Sequence, residues 1–175
     1  MCEIFAPQVQ ARKIKITAVI ESEHLSIQGE DRWPEHLLPT FVGDERRLKQ
    51  VLINLMKNAI KYTEDGQIFI SAFYTEAPSS LLRISVRDTG QGIAPEKIST
   101  LFSLFGKLHR TAVNNDSGLG LGLTIVKQIV ELSGGEVKVS SPGIGKGSTF
   151  SFSIPVYTLE GSPKKSDRIL LNAKA

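Results

Sequence analysis

Apolar residues recur at helical spacing most clearly over one long segment. Leu48, Val51, Leu52, Leu55 and Ala59 fall on a single stripe that must face a core. Asp44 precedes them with a side chain suited to capping free N–H groups, and Thr63-Glu64-Asp65-Gly66 ends the helix. Asn54, Asn58 and Lys61 form a second stripe, and helix neighbours four residues apart lie one above the other, so both asparagine amides point the same way. A period of two appears elsewhere. Ile14, Ile16 and Ala18 alternate with Lys13, Lys15 and Thr17, which predicts a strand over 13–20. Residues 21–40 are polar and turn-rich and read as a loop, with a short strand at 40–42. Segments 67–74 and 81–88 read as antiparallel strands, the second with Leu82, Ile84 and Val86 on one face. Pro95 suits the start of a short helix over 95–101. Residues 103–117 lack any period and read as a mobile loop. A second amphipathic helix runs over 121–132, stopped by Gly134-Gly135, and 136–141 with 148–155 form a last hairpin. Residues 1–12 read as a lead-in from a missing upstream segment, 13–157 as one domain, and 158–175 as a polar linker or tail with an apolar Ile169-Leu170-Leu171.

Composition narrows the classes. The chain has 175 residues, enough for one domain with a single core. Its net charge of +3 comes from scattered lysines and arginines without interleaved aromatics, which is no nucleic-acid footprint. The single cysteine, Cys2, excludes an internal disulfide and fits a reducing compartment. No apolar run approaches the ~20 residues of a membrane span, and the first residues lack the form of a signal peptide.

Chemistry concentrates at Asp88-Thr89-Gly90-Gln91-Gly92-Ile93, at the end of a predicted strand. A carboxylate accepts hydrogen bonds, and glycines let backbone approach a ligand closely at positive φ. That pairing suits a flat, amine-bearing ligand with a phosphate tail, and an adenine nucleotide is the obvious candidate. Taken singly, Asp-Thr-Gly is also a plain strand-to-turn ending, Asn54 and Asn58 a solvated helix face, and Tyr62 core packing. Three more boxes surround it in order: Asn54-Leu55-Met56-Lys57-Asn58-Ala59 before it, then Gly118-Leu119-Gly120-Leu121-Gly122-Leu123 and Gly145-Lys146-Gly147-Ser148-Thr149-Phe150. Phe102 and Phe105 lie between the second and third.

This ordered set, over about residues 10–156, resembles the catalytic and ATP-binding domain of sensor histidine kinases, in the superfamily that also holds gyrase, MutL and the large heat-shock chaperone. The resemblance implies an α+β two-layer sandwich, the Bergerat ATP-binding fold: a mixed β-sheet backed by three helices, with an ATP lid. It also implies roles. Asn58 holds Mg²⁺ through its amide oxygen, Asn54 assists one turn earlier, Lys61 meets phosphate charge, and Tyr62 packs on adenine. Asp88 accepts from the adenine amine, Gly90 and Gly92 approach the nucleotide, and Ile93 lines the base pocket. Gly118, Leu119, Gly120, Leu121, Gly122 and Leu123 offer phosphates the amides of a helix N-terminus. Leu119 stands where many relatives have threonine. Thr149 and Ser148 support the pocket floor. The lid spans about 106–117, with Lys107, His109 and Arg110 as candidates for the γ-phosphate.

Relatives in the gyrase and chaperone branches carry a glutamate at the position of Asn54. A neutral amide is no general base, so efficient hydrolysis of that kind is not expected. What remains is transfer of the γ-phosphoryl group to a histidine on a separate dimerisation domain, in cis or in trans, with a response-regulator receiver downstream. His24, His36 and His109 lack the surroundings of such an acceptor, so the acceptor domain is expected to lie outside the chain. Leu119 and the unusual lid keep open an alternative, a nucleotide-binding pseudokinase or scaffold. Either reading implies the cytosolic portion of a receptor kinase, with no nucleic acid and no membrane contact by this segment.

Overall fold

The computed structural model describes residues 2–22, 25–29, 41–75, 80–99, 101–102 and 122–158. In chain order these form α1 (Cys2–Ala11), β1 (Ile14–Ser22), β2 (Leu25–Gly29), β3 (Phe41–Val42), α2 (Glu45–Tyr62), β4 (Gly66–Thr75), β5 (Leu81–Asp88), α3 (Pro95–Ile98), α4 (Gly122–Leu132), β6 (Glu136–Ser140), β7 (Ser148–Pro155) and β8 (Tyr157–Thr158). Six strands make one sheet in the order β2-β1-β4-β5-β7-β6, and β3 with β8 makes a small second sheet. The large sheet is mixed: β1 and β4 run parallel and the other neighbours antiparallel. The parallel pair needs a long crossover between its strands, and α2 lies on that connection.

The alternating pattern of β5 and β7 decides the layers. Leu82, Ile84, Val86 and Asp88 are buried on one face of β5, and their partners Ser148, Phe150 and Phe152 are buried on β7. Against that face pack Val51, Leu55, Met56, Ala59 and Ile60 of α2 and Val126 and Val130 of α4. The opposite face carries Arg83, Ser85, Arg87, Thr149 and Ser151, and a hydroxyl pair, Ser71 Oγ to Ser85 Oγ at 2.7 Å, spans β4 and β5. The fold is thus the two-layer α+β sandwich expected, with one mixed sheet.

Four details differ from the sequence reading. The loop assigned to 21–40 contains β2, which pairs with an extended β1 as a hairpin; Leu25 and Ile27 alternate with polar residues, a signal masked by the glycines and prolines around them. The short helix predicted over 95–101 stops at Ile98. The lead-in forms α1, a fourth helix, whose Phe5 is 2% exposed and sits in the core. Thr158, read as the start of the tail, pairs with Phe41 of β3 beside the Val42–Tyr157 pair.

Candidate functional site

The C-terminal turn of α2, just past the first box, meets the Asp88 box. The helix begins as expected, with the Asp44 side chain accepting from the Arg47 N–H at 3.1 Å. It ends at Thr63, whose extended backbone (φ −115°, ψ 118°) breaks the turn. The final carbonyls of a helix have no partners within it, and here other segments supply them. The Gln91 N–H donates to the Tyr62 carbonyl at 3.0 Å. Arg12 Nη1 donates to the carbonyls of Ile60 at 3.0 Å and Lys61 at 2.8 Å.

Asp88 closes β5 with a side chain only 4% exposed. Its Oδ1 accepts from the Gly90 N–H at 2.9 Å and the Ser148 N–H at 3.3 Å, and its Oδ2 accepts from the Ser148 hydroxyl at 2.5 Å. An ionised carboxylate offers about four acceptor directions. Among the described residues three of them are filled.

The glycines of this box answer first to the chain itself. A Cβ on Gly90 would lie 2.1 Å from the Tyr62 carbonyl oxygen. One on Gly92, at φ +66°, would lie 2.0 Å from the Gly143 oxygen, and one on Gly147, at φ +71°, 2.0 Å from the Asp88 oxygen. Three strands of backbone therefore cross here with no room for side chains. Hydrogen bonds lock the crossing: Gly147 N–H to the Gly90 carbonyl at 3.0 Å and Gly145 N–H to the Gln91 carbonyl at 2.7 Å. Ser141 ties the same loop. Its Oγ accepts from the Ile93 N–H at 2.9 Å and donates to the Gly147 carbonyl at 2.7 Å.

The remaining expected residues separate into three groups. Asn54 and Asn58 are half-buried on α2, and the Asn54 Oδ1 lies 3.5 Å from where a Gly122 Cβ would sit, so the first box touches the start of α4. Tyr62 is half-buried, and the Lys61 ammonium lies 5.7 Å from the centre of its ring. Ile93 and Leu123 are partly buried against the core. Phe102 meets Phe150 edge to face, with ring centres 6.4 Å apart. Thr149 is different. Strand alternation turns it away from Asp88 to the opposite face of the sheet, and Ser148 is the hydroxyl that touches the carboxylate. Lys107, Arg110, Gly118, Leu119, Gly120 and Leu121, with Phe105 and His109, lie outside the described residues.

Sequence reading missed Arg12 and Ser141. Ser141 sits one residue before Pro142-Gly143, a turn setting in which a serine hydroxyl commonly bonds local backbone. Arg12 carried no signal, because its partners lie 48 and 49 residues away. An apolar cavity of about 380 Å³ opens at the other end of α2, lined by Leu48, Val51, Ile129, Phe152, Val156 and Tyr157 among others. Among the described residues there is no cluster of His, Cys, Asp and Glu fit for a metal, and no helix is long and apolar enough to cross a membrane.

Comparison with known proteins finds relatives of this fold. Residues 43–158 match the family described as histidine kinase-, DNA gyrase B-, and HSP90-like ATPase. Hybrid signal transduction histidine kinase B of Dictyostelium discoideum is 41% identical over 139 residues, 78% of this chain and 7% of its own length. The adaptive-response sensory kinase SasA of Synechococcus elongatus is 42% identical over 121 residues, 69% of this chain and 30% of its own length. This chain therefore spans under a third of either relative. Among solved structures, full-length ShkA in complex with AMPPNP aligns over 92% of this chain and 29% of its own, at 31% identity and a TM-score of 0.71. The catalytic domain of histidine kinase ThkA aligns over 87% of this chain and 86% of its own, at 26% identity and a TM-score of 0.59.

Proposed function

The chain belongs to the histidine kinase-, DNA gyrase B- and HSP90-like ATPase family, and on that premise we propose that it is the ATP-binding catalytic domain of a two-component histidine kinase, passing the γ-phosphoryl group of ATP to a histidine on a separate dimerisation domain. The observation that carries this reading is the buried Asp88 carboxylate, held by Gly90 and Ser148 and, among the described residues, with one acceptor direction left for a ligand amine. Adenine presents such an amine. The named relatives are histidine kinases, and ShkA takes AMPPNP.

The donor set fits the nucleotide and its cation. When bound, ATP supplies the phosphoryl group and Mg²⁺ neutralises its charge. Mg²⁺ prefers oxygen ligands and keeps several waters, so the single neutral amide oxygen of Asn58 suffices beside phosphate oxygens. Asn54 stands at the start of α4 beside Gly122, where helix N–H groups favour anions. Lys61 adds a positive charge and Tyr62 an apolar ring at the same helix end. Position 54 holds an amide, so no carboxylate is there to activate water. Positioning and charge neutralisation are the main sources of catalysis in phosphoryl transfer. The folded unit in this reading runs over 13–157 with α1 packed on it; the acceptor histidine domain and a receiver are its partners.

The test is calorimetric titration with AMPPNP, with and without Mg²⁺, followed by ATP with a matched dimerisation domain. Micromolar binding strengthened by Mg²⁺, and phosphohistidine on the added domain, are expected. Binding without phosphohistidine would favour the pseudokinase, and no binding at millimolar ligand would end the nucleotide reading. In Asn58→Ala the Mg²⁺-dependent part of the affinity is expected to vanish; an equal loss with and without Mg²⁺ would remove Asn58 as the ligand.

A further inference from the structure

We propose that Arg12 is a positioning residue for the nucleotide site, acting through the last turn of α2; this rests on the nucleotide reading above. Arg12 lies outside the matched family region, at 43–158. It nevertheless reaches across 48 residues of sequence to the turn that follows Asn58. Three successive carbonyls end that helix. Arg12 Nη1 takes those of Ile60 and Lys61, and the Gln91 N–H takes that of Tyr62. The helix end is thus clasped from two sides, by the α1–β1 turn and by the Asp88 box.

A second, independent observation is the backbone at the next residue. Lys13 has φ +53°, and it is the one described non-glycine residue at positive φ. A long side chain in the left-handed region is uncommon, and such a conformation persists only where the surroundings over-determine it. Here it turns the chain from α1 into β1, leaving the exposed Arg12 with its guanidinium at the end of α2. The guanidinium is also a cation at a helix C-terminus, where the helix dipole favours positive charge.

The physical consequence is specific. Asn58 and Lys61 ride on the turn that Arg12 holds, whereas Asp88 and Ser148 are joined directly across β5 and β7. Removing the guanidinium frees two carbonyls and lets the last turn of α2 fray. That loosens the groups facing phosphate and Mg²⁺, and Tyr62 with them, while the Asp88 acceptor stays held by Gly90 and Ser148.

The experiment measures affinity for adenosine and for Mg²⁺·AMPPNP in wild type, Arg12→Ala, Arg12→Lys and Lys13→Gly. Arg12→Ala is expected to weaken Mg²⁺·AMPPNP by about fivefold and adenosine, which keeps Asp88 and loses only the hold on Tyr62, by clearly less, and Arg12→Lys is expected to recover part of the loss. Lys13→Gly, which relieves the left-handed strain, is expected to keep both affinities. Should Arg12→Ala not fold, Arg12→Gln carries the same comparison. Equal loss for both ligands, or no loss for either, overturns the role of Arg12. Failure of the wild type to bind Mg²⁺·AMPPNP overturns the nucleotide reading beneath it.

Discussion

The two ends of α2 solve opposite problems. At its N-terminal end, Leu48 and Val51 face an apolar cavity of about 380 Å³ between α4, β7 and the β3–β8 pair. At its C-terminal end the helix terminus, the Asp88 box and the β6–β7 loop cross through backbone contacts too tight for a Cβ, and the Arg12 side chain bonds the last carbonyls. The proposed nucleotide base needs a fixed donor–acceptor partner, and among the described residues the buried carboxylate pinned by hydrogen bonds is Asp88, at the C-terminal end. A large apolar space can be a packing consequence of splaying two helix ends over a small sheet.

Substitutions at each end should separate these roles. The largest effect is expected for Gly90→Ala. Its methyl would press on the Tyr62 carbonyl at 2.1 Å, and relief requires moving backbone, so a stability loss of about 3 kcal/mol is expected in denaturant unfolding. A loss no greater than that of Gly122→Ala, where the nearest atom lies 3.5 Å away, would show the crossing to be loose.

Next comes Asp88→Asn. The substitution removes a charge that accepts from Gly90 and Ser148 and from the expected ligand amine. Calorimetry should show about 2 kcal/mol less binding energy for AMPPNP, roughly thirtyfold. Unchanged affinity would remove Asp88 from the site.

Leu48→Ala tests the other end. It should lower stability by about 2 kcal/mol and leave nucleotide affinity as it is; a matching loss of affinity would join the cavity to the site.

The smallest effect is expected at Thr63. Its Oγ1 is fully buried with no hydrogen-bond partner among the described residues. Thr63→Val keeps the shape and removes the orphaned hydroxyl, so stability should stay within about 1 kcal/mol of wild type or rise. A clear loss in thermal unfolding would mean that the hydroxyl has a partner in solution.

By itself the sequence determined whatever rests on local periodicity and local chemistry. The stripe of α2, its Asp44 cap and the alternation of β5 are set within a few residues, so burial follows pattern. The four boxes in order named the family before any coordinate did. The tertiary structure alone decided what depends on chain crossings. It gave Gly90, Gly92 and Gly147 their reason, which is backbone passing backbone. It turned Thr149 away and Ser148 inward, because register across β5 and β7 selects the face. It joined Arg12 to the end of α2 and placed Phe5 in the core. Such contacts couple residues tens of positions apart through folding free energy rather than through spacing, and spacing is all that a linear pattern records.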